Sequence, residues 1–148
     1  MKPLNNPNKK RIIRQLEQQF GINNIPYLFL EFGKDKFRLY SGNLSKEELK
    51  LLDRELRIET IGLYFAKQQN DGIRLTLDSL TVFKNQITKN ILELTDSQAE
   101  NWLKGRELLI KIDNNFKILK NKNDIIGCGK STGEKIANFI PKERRIKN

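Results

Sequence analysis

Six basic side chains crowd the end of this sequence: Lys130, Lys135, Lys142, Arg144, Arg145 and Lys147. Between Lys130 and Lys147 they face only Glu134 and Glu143, so +4 of the chain's net +10 falls within about an eighth of its 148 residues. The chemistry open to such groups is electrostatic. A guanidinium fork can hold a phosphate through two parallel hydrogen bonds, and ammonium groups add point charge. A local excess of this kind is the footprint of a surface that meets a polyanion. On charge alone, a solvated basic end without a partner serves as well.

The same region contains Gly129-Lys130-Ser131, which reads like the close of a phosphate-binding G-x-x-x-x-G-K-[ST] loop. The first glycine of that pattern would have to stand at Asp124, where a carboxylate would oppose the phosphates. Gly127 and Gly129 read better as a bulged or closely approached strand in which a side chain would not fit. Cys128 between them reads as a small buried residue. The sequence holds no histidine and this one cysteine. Histidine triads and zinc sites of the usual ligands are therefore excluded, as is an internal disulfide. The carboxylates are scattered singly among lysines, the pattern of a solvated surface. The expectation is a protein that is not an enzyme and takes no cofactor or metal.

A hydrophobic share of 37% beside 31% charged residues fits one ordinary globular domain or two small ones. Apolar runs reach only four residues, as in Tyr27 to Leu30, far short of a membrane span. Met1 to Asn6 has no apolar region to act as a secretion signal, and cysteine usage suggests a reducing, cytoplasmic setting. A pI near 9.8 points to nucleic acid as partner, with an anionic membrane surface the poorer alternative.

Several elements are predicted to position these groups. Asn6 and Pro7 open a helix whose Ile12, Ile13, Leu16 and Phe20 share one face, and Gly21 stops it. Its Lys9, Lys10, Arg11 and Arg14 cover the other side, as a second phosphate-facing patch or a solvated face. Tyr27–Phe32 and Lys36–Tyr40 form a hairpin about Gly33-Lys34-Asp35. Ser45 and Glu48 make a capping box for a helix that buries Leu49, Leu52 and Leu56. Ile61, Leu63 and Phe65, a turn at Asn70-Asp71-Gly72, then Ile73, Leu75 and Leu77 give a second hairpin.

Beyond residue 80 the pattern becomes a series of short strands. Thr81–Phe83, Ile91–Leu94, Leu108–Ile112 and Phe116–Leu119 are predicted extended, with further strands after Asn123. A short helix capped by Thr95 and Gln98 and stopped at Gly105 interrupts them. The fold class expected is therefore α+β, an α/β unit over 1–80 followed by a small β-barrel over 81–148. The first part carries 14 basic and 10 acidic residues, the second 14 and 8, so the second is the more basic for its size.

Leu94-Thr95-Asp96, Gly105-Arg106-Glu107-Leu108, Ile126-Gly127-Cys128-Gly129-Lys130 and Pro141-Lys142-Glu143-Arg144-Arg145 together resemble a PUA domain, the small RNA-binding barrel of pseudouridine synthases and archaeosine transglycosylases. Glu59–Lys67 and Gly72–Leu80 resemble the pre-PUA module that precedes it in Nip-type ribosome-biogenesis factors of eukaryotes and archaea. The resemblance implies a non-catalytic RNA-binding adaptor in ribosome assembly, nucleolar in a eukaryote. Its partners would be precursor ribosomal RNA together with ribosome-assembly or RNA-modifying proteins. It also implies that Arg144, Arg145, Lys142 and Lys147 grip phosphates while Lys130 and Lys135 extend that surface. The Gly-x-Gly-Lys and Pro-Lys-Glu-Arg-Arg patterns are similar as well to the appended parts of 5-methylcytosine RNA methyltransferases. On that branch the sequence, which has no G-x-G-x-x-G, would be a detached recognition half.

Overall fold

The structure, a computed structural model, describes residues 1–58 and 60–147. Glu59, part of the stretch compared with pre-PUA, lies outside the described residues. Helix α1 (Asn6–Phe20) starts one residue earlier than expected, because Asn5 rather than Asn6 takes the extended cap conformation. The Asn5 side-chain oxygen accepts from the Asn8 N–H at 2.9 Å, and Pro7 sits in the first turn, where it has no amide to lose. Ile12, Leu16 and Phe20 follow at intervals of four and are all buried. Gly21 ends the helix with φ 87°, the left-handed conformation that a side chain would strain.

Strands β1 (Lys2–Pro3), β2 (Leu28–Phe32), β3 (Lys36–Tyr40), β4 (Leu63–Gln69) and β5 (Gly72–Leu75) make a five-stranded antiparallel sheet in that order. Both expected hairpins are present. Phe29, Phe37, Phe65, Ile73 and Leu75 point from this sheet into the core. Helix α2 (Lys46–Leu56) follows β3, with both bonds of the Ser45–Glu48 capping box formed. Of the three leucines expected to bury, only Leu49 is fully buried, and Leu56 is 70% exposed. The helix rests against β1, a two-residue strand at the sheet edge, so its last turn has no surface to cover.

Thr81-Val82-Phe83 is not a strand. It closes helix α3 (Leu77–Phe83), which Thr76 caps by accepting from the Ser79 N–H. The β-branched pair at 81–82 suggested extension, but Leu80 and Phe83 lie three apart and both bury. Leu77, expected on the returning strand, begins this helix instead.

The second sheet runs β6 (Ile91–Glu93), β7 (Phe116–Asn121), β8 (Asp124–Ser131), β9 (Ile136–Ala137). Strands β6 and β7 pair in parallel through a crossover that contains α4 (Asp96–Leu103), and the others pair antiparallel. The Thr95–Gln98 capping box is formed. The run Leu108–Ile112 does not become a strand; only Leu108 bridges to Ile136, through N–H···O bonds of 3.2 and 2.8 Å. Among the described residues the four strands, with that bridge at their edge, make a half-barrel rather than the fully closed barrel expected. The fold is thus mixed α/β, with two sheets and four α-helices among the described residues.

The two sheets share a core. One apolar cluster joins Leu16, Phe20, Phe65 and Phe83 to Phe116, Ile118 and Cys128 of β7 and β8. A smaller one, around Trp102, Leu119 and Ile136, lies under α4. At the seam Asn90, with φ 56°, donates its side-chain amide to the Gln19 carbonyl at 2.6 Å. Its own carbonyl accepts from the Ile118 N–H at 2.8 Å. Thr88 adds an N–H to the Phe20 carbonyl at 2.8 Å, so the connection between the sheets caps the end of α1. Residue 80, the expected boundary, falls inside α3.

Candidate nucleic-acid interface

Strand β8 brings the glycines and Lys130 into place. Gly127 and Gly129 lie against Trp102: a Cβ at Gly127 would collide with the indole Nε1, and one at Gly129 would stand 2.5 Å from Ile136 Cγ2 and 2.8 Å from Trp102 Cη2. Trp102 can lie flat there and donate its indole N–H to the Ile126 carbonyl at 3.3 Å. This is the close approach expected of a glycine-flanked strand. Cys128 turns to the other face and is buried, which pushes its thiol up to about 12 and leaves it neutral.

The six expected phosphate-binding residues do not form one free positive face. Lys130 is largely enclosed, its side chain 14% exposed. Its ammonium meets Asp71 at 2.9 Å and Asn114 Oδ1 at 2.6 Å, and lies 5.3 Å from the Phe116 ring centroid. The Asp71 carboxyl, in turn, is held below its usual range by the Lys130 hydrogen bond. Lys135 pairs with Glu107 at 2.8 Å. Arg144, in a 3₁₀ turn over Lys142–Arg144, pairs with Asp78 of α3 at 2.5 Å. Arg145 donates Nε–H to the Ile140 carbonyl at 3.0 Å and packs over Gly105. Lys142 and Lys147 are exposed, with no ion partner among the described residues.

These pairs differ in what they permit. An exposed ion pair is worth roughly 0–1 kcal/mol. Lys135 and Arg144 can therefore trade a carboxylate for a phosphate at little cost. Lys130 is enclosed and doubly bonded, and works as a tie between the first sheet's hairpin turn and β8. On α1, Lys9 is likewise engaged, donating to the Tyr27 carbonyl at 2.6 Å; burial and then Lys46 lower its pKa.

Sequence reading passed over several residues that the fold brings together. Lys84 and Lys120 line a polar cleft of about 440 Å³ with Asn85, Asn123 and Asp124, where the end of α3 meets the β7–β8 turn. Arg74 of β5 lines a second, smaller cleft with Tyr64 and Phe139. None of these lies in a charge run, so only the tertiary fold shows them. Among the described residues, no group of three or more His, Cys, Asp or Glu is placed to hold a metal ion. Nor, among the described residues, is any helix long and apolar enough to cross a membrane.

Residues 89–146 match the family model described as the methyltransferase RsmF PUA domain. The match begins at the seam next to Asn90. The chain is similar to ribosomal RNA small subunit methyltransferase F of Psychromonas ingrahamii, 28% identical over 132 residues, which cover 84% of this chain and 26% of the relative. The enzyme of that name from Aeromonas salmonicida is 24% identical over 143 residues, 95% of this chain and 29% of its own. That of Vibrio cholerae is 29% identical over 102 residues, 68% and 22%. The chain therefore spans about a quarter of the length of these curated relatives. These likenesses point to the bacterial methyltransferase branch rather than to the Nip-type factor or an archaeal source.

Proposed function

We propose that this chain is an RNA-recognition part of the kind appended to ribosomal RNA methyltransferases, with a pre-PUA-like α/β unit leading into the PUA domain. What supports the reading above all is the match of residues 89–146 to the RsmF-type PUA model, in a chain of net charge +10. In this reading the ligand is small-subunit ribosomal RNA or its precursor. The setting is cytoplasmic, the protein partner is an RNA-modifying enzyme, and no membrane is involved. The chain itself performs no chemistry and takes no cofactor; the methyl transfer belongs to a catalytic part such as its relatives carry. Lys142 and Lys147, with Lys135, Arg144 and Arg145 beside them, supply the charge that draws the RNA.

The experiment is a binding titration of the chain against small-subunit ribosomal RNA fragments over a salt series. With about four phosphates neutralised, the logarithm of the affinity should fall with that of salt at a slope of about −3 on single strands. A duplex DNA of the same length serves as competitor. RNA binding no stronger than DNA binding would overturn the reading. A pulldown that recovers ribosome-assembly particles but no RNA methyltransferase would move the chain to the assembly-factor branch.

A further inference from the structure

A cleft of about 140 Å³ opens between the two sheets, where β5 and the start of α3 face Gly127-Cys128 and the segment after β9. Its charged residues are Arg74, Arg144 and Asp78. Asp78 and Arg144 neutralise each other. Arg74 is different. Its guanidinium stacks 4.5 Å from the Phe139 ring centroid, and its Nε is shut off from solvent without a hydrogen-bond partner. No carboxylate among the described residues lies within ion-pair distance of it.

A guanidinium is a cation with five fixed donors and no acceptor, so it needs anionic or carbonyl oxygens around it. Placing such a charge in a partly dry, aromatic-walled cleft without a counterion is costly, and an anion would offset that cost. Arginine's fork suits an oxyanion with two coplanar oxygens. A second guanidinium, Arg144, lines the same cleft, held by a carboxylate at a half-exposed site. An entering phosphate can displace Asp78 and take both forks.

We propose that the Arg74–Arg144 cleft binds a phosphate group, that of a nucleotide in an RNA chain or of a free mononucleotide, with Asp78 as the intramolecular competitor that it displaces. The site shares Arg144 with the basic tail but takes its unpaired guanidinium, Arg74, from the first sheet, and the RNA source rests on the reading under Proposed function.

The test titrates the whole chain with uridine 5′-monophosphate, with uridine, and with a single-stranded RNA oligonucleotide, following amide shifts by NMR and affinity by calorimetry. The variants are Arg74→Met, Arg74→Lys and Asp78→Asn, each checked by its melting temperature. The monophosphate should bind and uridine should not. Arg74→Met should weaken phosphate binding by about tenfold or more, with Arg74→Lys in between. Asp78→Asn should strengthen it by about two- to fivefold, since it removes only an exposed pair. A role for Arg74 confined to packing predicts no gain in Asp78→Asn, and that result would overturn the site. So would equal binding of uridine and its monophosphate, or wild-type affinity in a folded Arg74→Met variant. Loss of mononucleotide binding in Arg74→Met with RNA affinity unchanged keeps the site and assigns it to free nucleotides. RNA binding that persists while phosphate ignores the cleft removes the site and leaves the proposed function standing. Phosphate binding through Arg74 in a chain that ignores RNA does the reverse.

Discussion

The Lys130 ammonium lies 2.9 Å from the Asp71 carboxylate, joining strand β8 of the second sheet to the hairpin turn between β4 and β5 of the first. A lysine counted with the basic end of the sequence is thereby engaged in a tie between the two sheets. Lys130→Ala should cost about 1–2 kcal/mol in urea unfolding, because it deletes charged hydrogen bonds to Asp71 and Asn114 at a partly enclosed site. RNA affinity per folded molecule should change less than twofold. A large affinity loss without destabilisation would return Lys130 to the binding face.

The pH dependence of that tie has a definite sign. The Asp71 carboxyl is held below its ordinary value of 3.8 in the folded protein, chiefly by the Lys130 hydrogen bond. Its contribution is therefore complete above about pH 4 and is lost as pH falls through the lowered folded value. Asp71→Asn should flatten the fall in melting temperature as pH drops below about 4. Identical acid limbs for the variant and the parent would mean that the pair contributes nothing.

Gly127→Ala and Gly129→Ala should each destabilise by about 1–3 kcal/mol, since a methyl group at either position meets Trp102 and the tryptophan has no free side to retreat to. Tryptophan fluorescence should shift together with the loss of stability. Unchanged stability in both would show that β8 and α4 separate more easily than their packing indicates.

Asn90 holds a left-handed φ of 56° and bonds to Gln19 through its side chain, two features that separate under mutation. Asn90→Ala should lose both, at about 1–3 kcal/mol. Asn90→Gly restores the backbone freedom alone and should recover part of the loss. Equal values for the two variants would leave the side-chain bond as the whole effect.

Cys128, neutral and shielded with its pKa near 12, should resist alkylation by iodoacetamide at pH 8 and react at once in denaturant. Rapid labelling of the folded protein would disprove its burial.

Local signals made the hairpins, the two capping boxes and the Gly21 stop readable, because each depends on residues within a few positions of one another. The glycine pair at 127 and 129 was readable as a close approach, though not its partner Trp102, which comes from the α4 crossover. What sequence could not supply is pairing over distance. Thr81-Val82 carries strand propensity, yet burial of Leu80 and Phe83 makes it helical. Leu108–Ile112 alternates like a strand but finds a ladder partner only at Leu108. The site suffered most from this limit. A lysine and an arginine near a basic end look alike until Asp71 arrives from the other sheet's hairpin turn and Asp78 from α3, and Arg74 shows its isolation only once Phe139 folds over it.

The shared cluster of Phe20, Phe65 and Phe83 with Phe116, Ile118 and Cys128 bears on how the polypeptide is made. On a translating ribosome the opening helix and first sheet emerge with one side of their apolar interior bare. It stays bare until β8 has left the exit tunnel. A nascent chain stalled near residue 110 should therefore recruit chaperones and fall to protease, whereas one released past residue 131 should resist both.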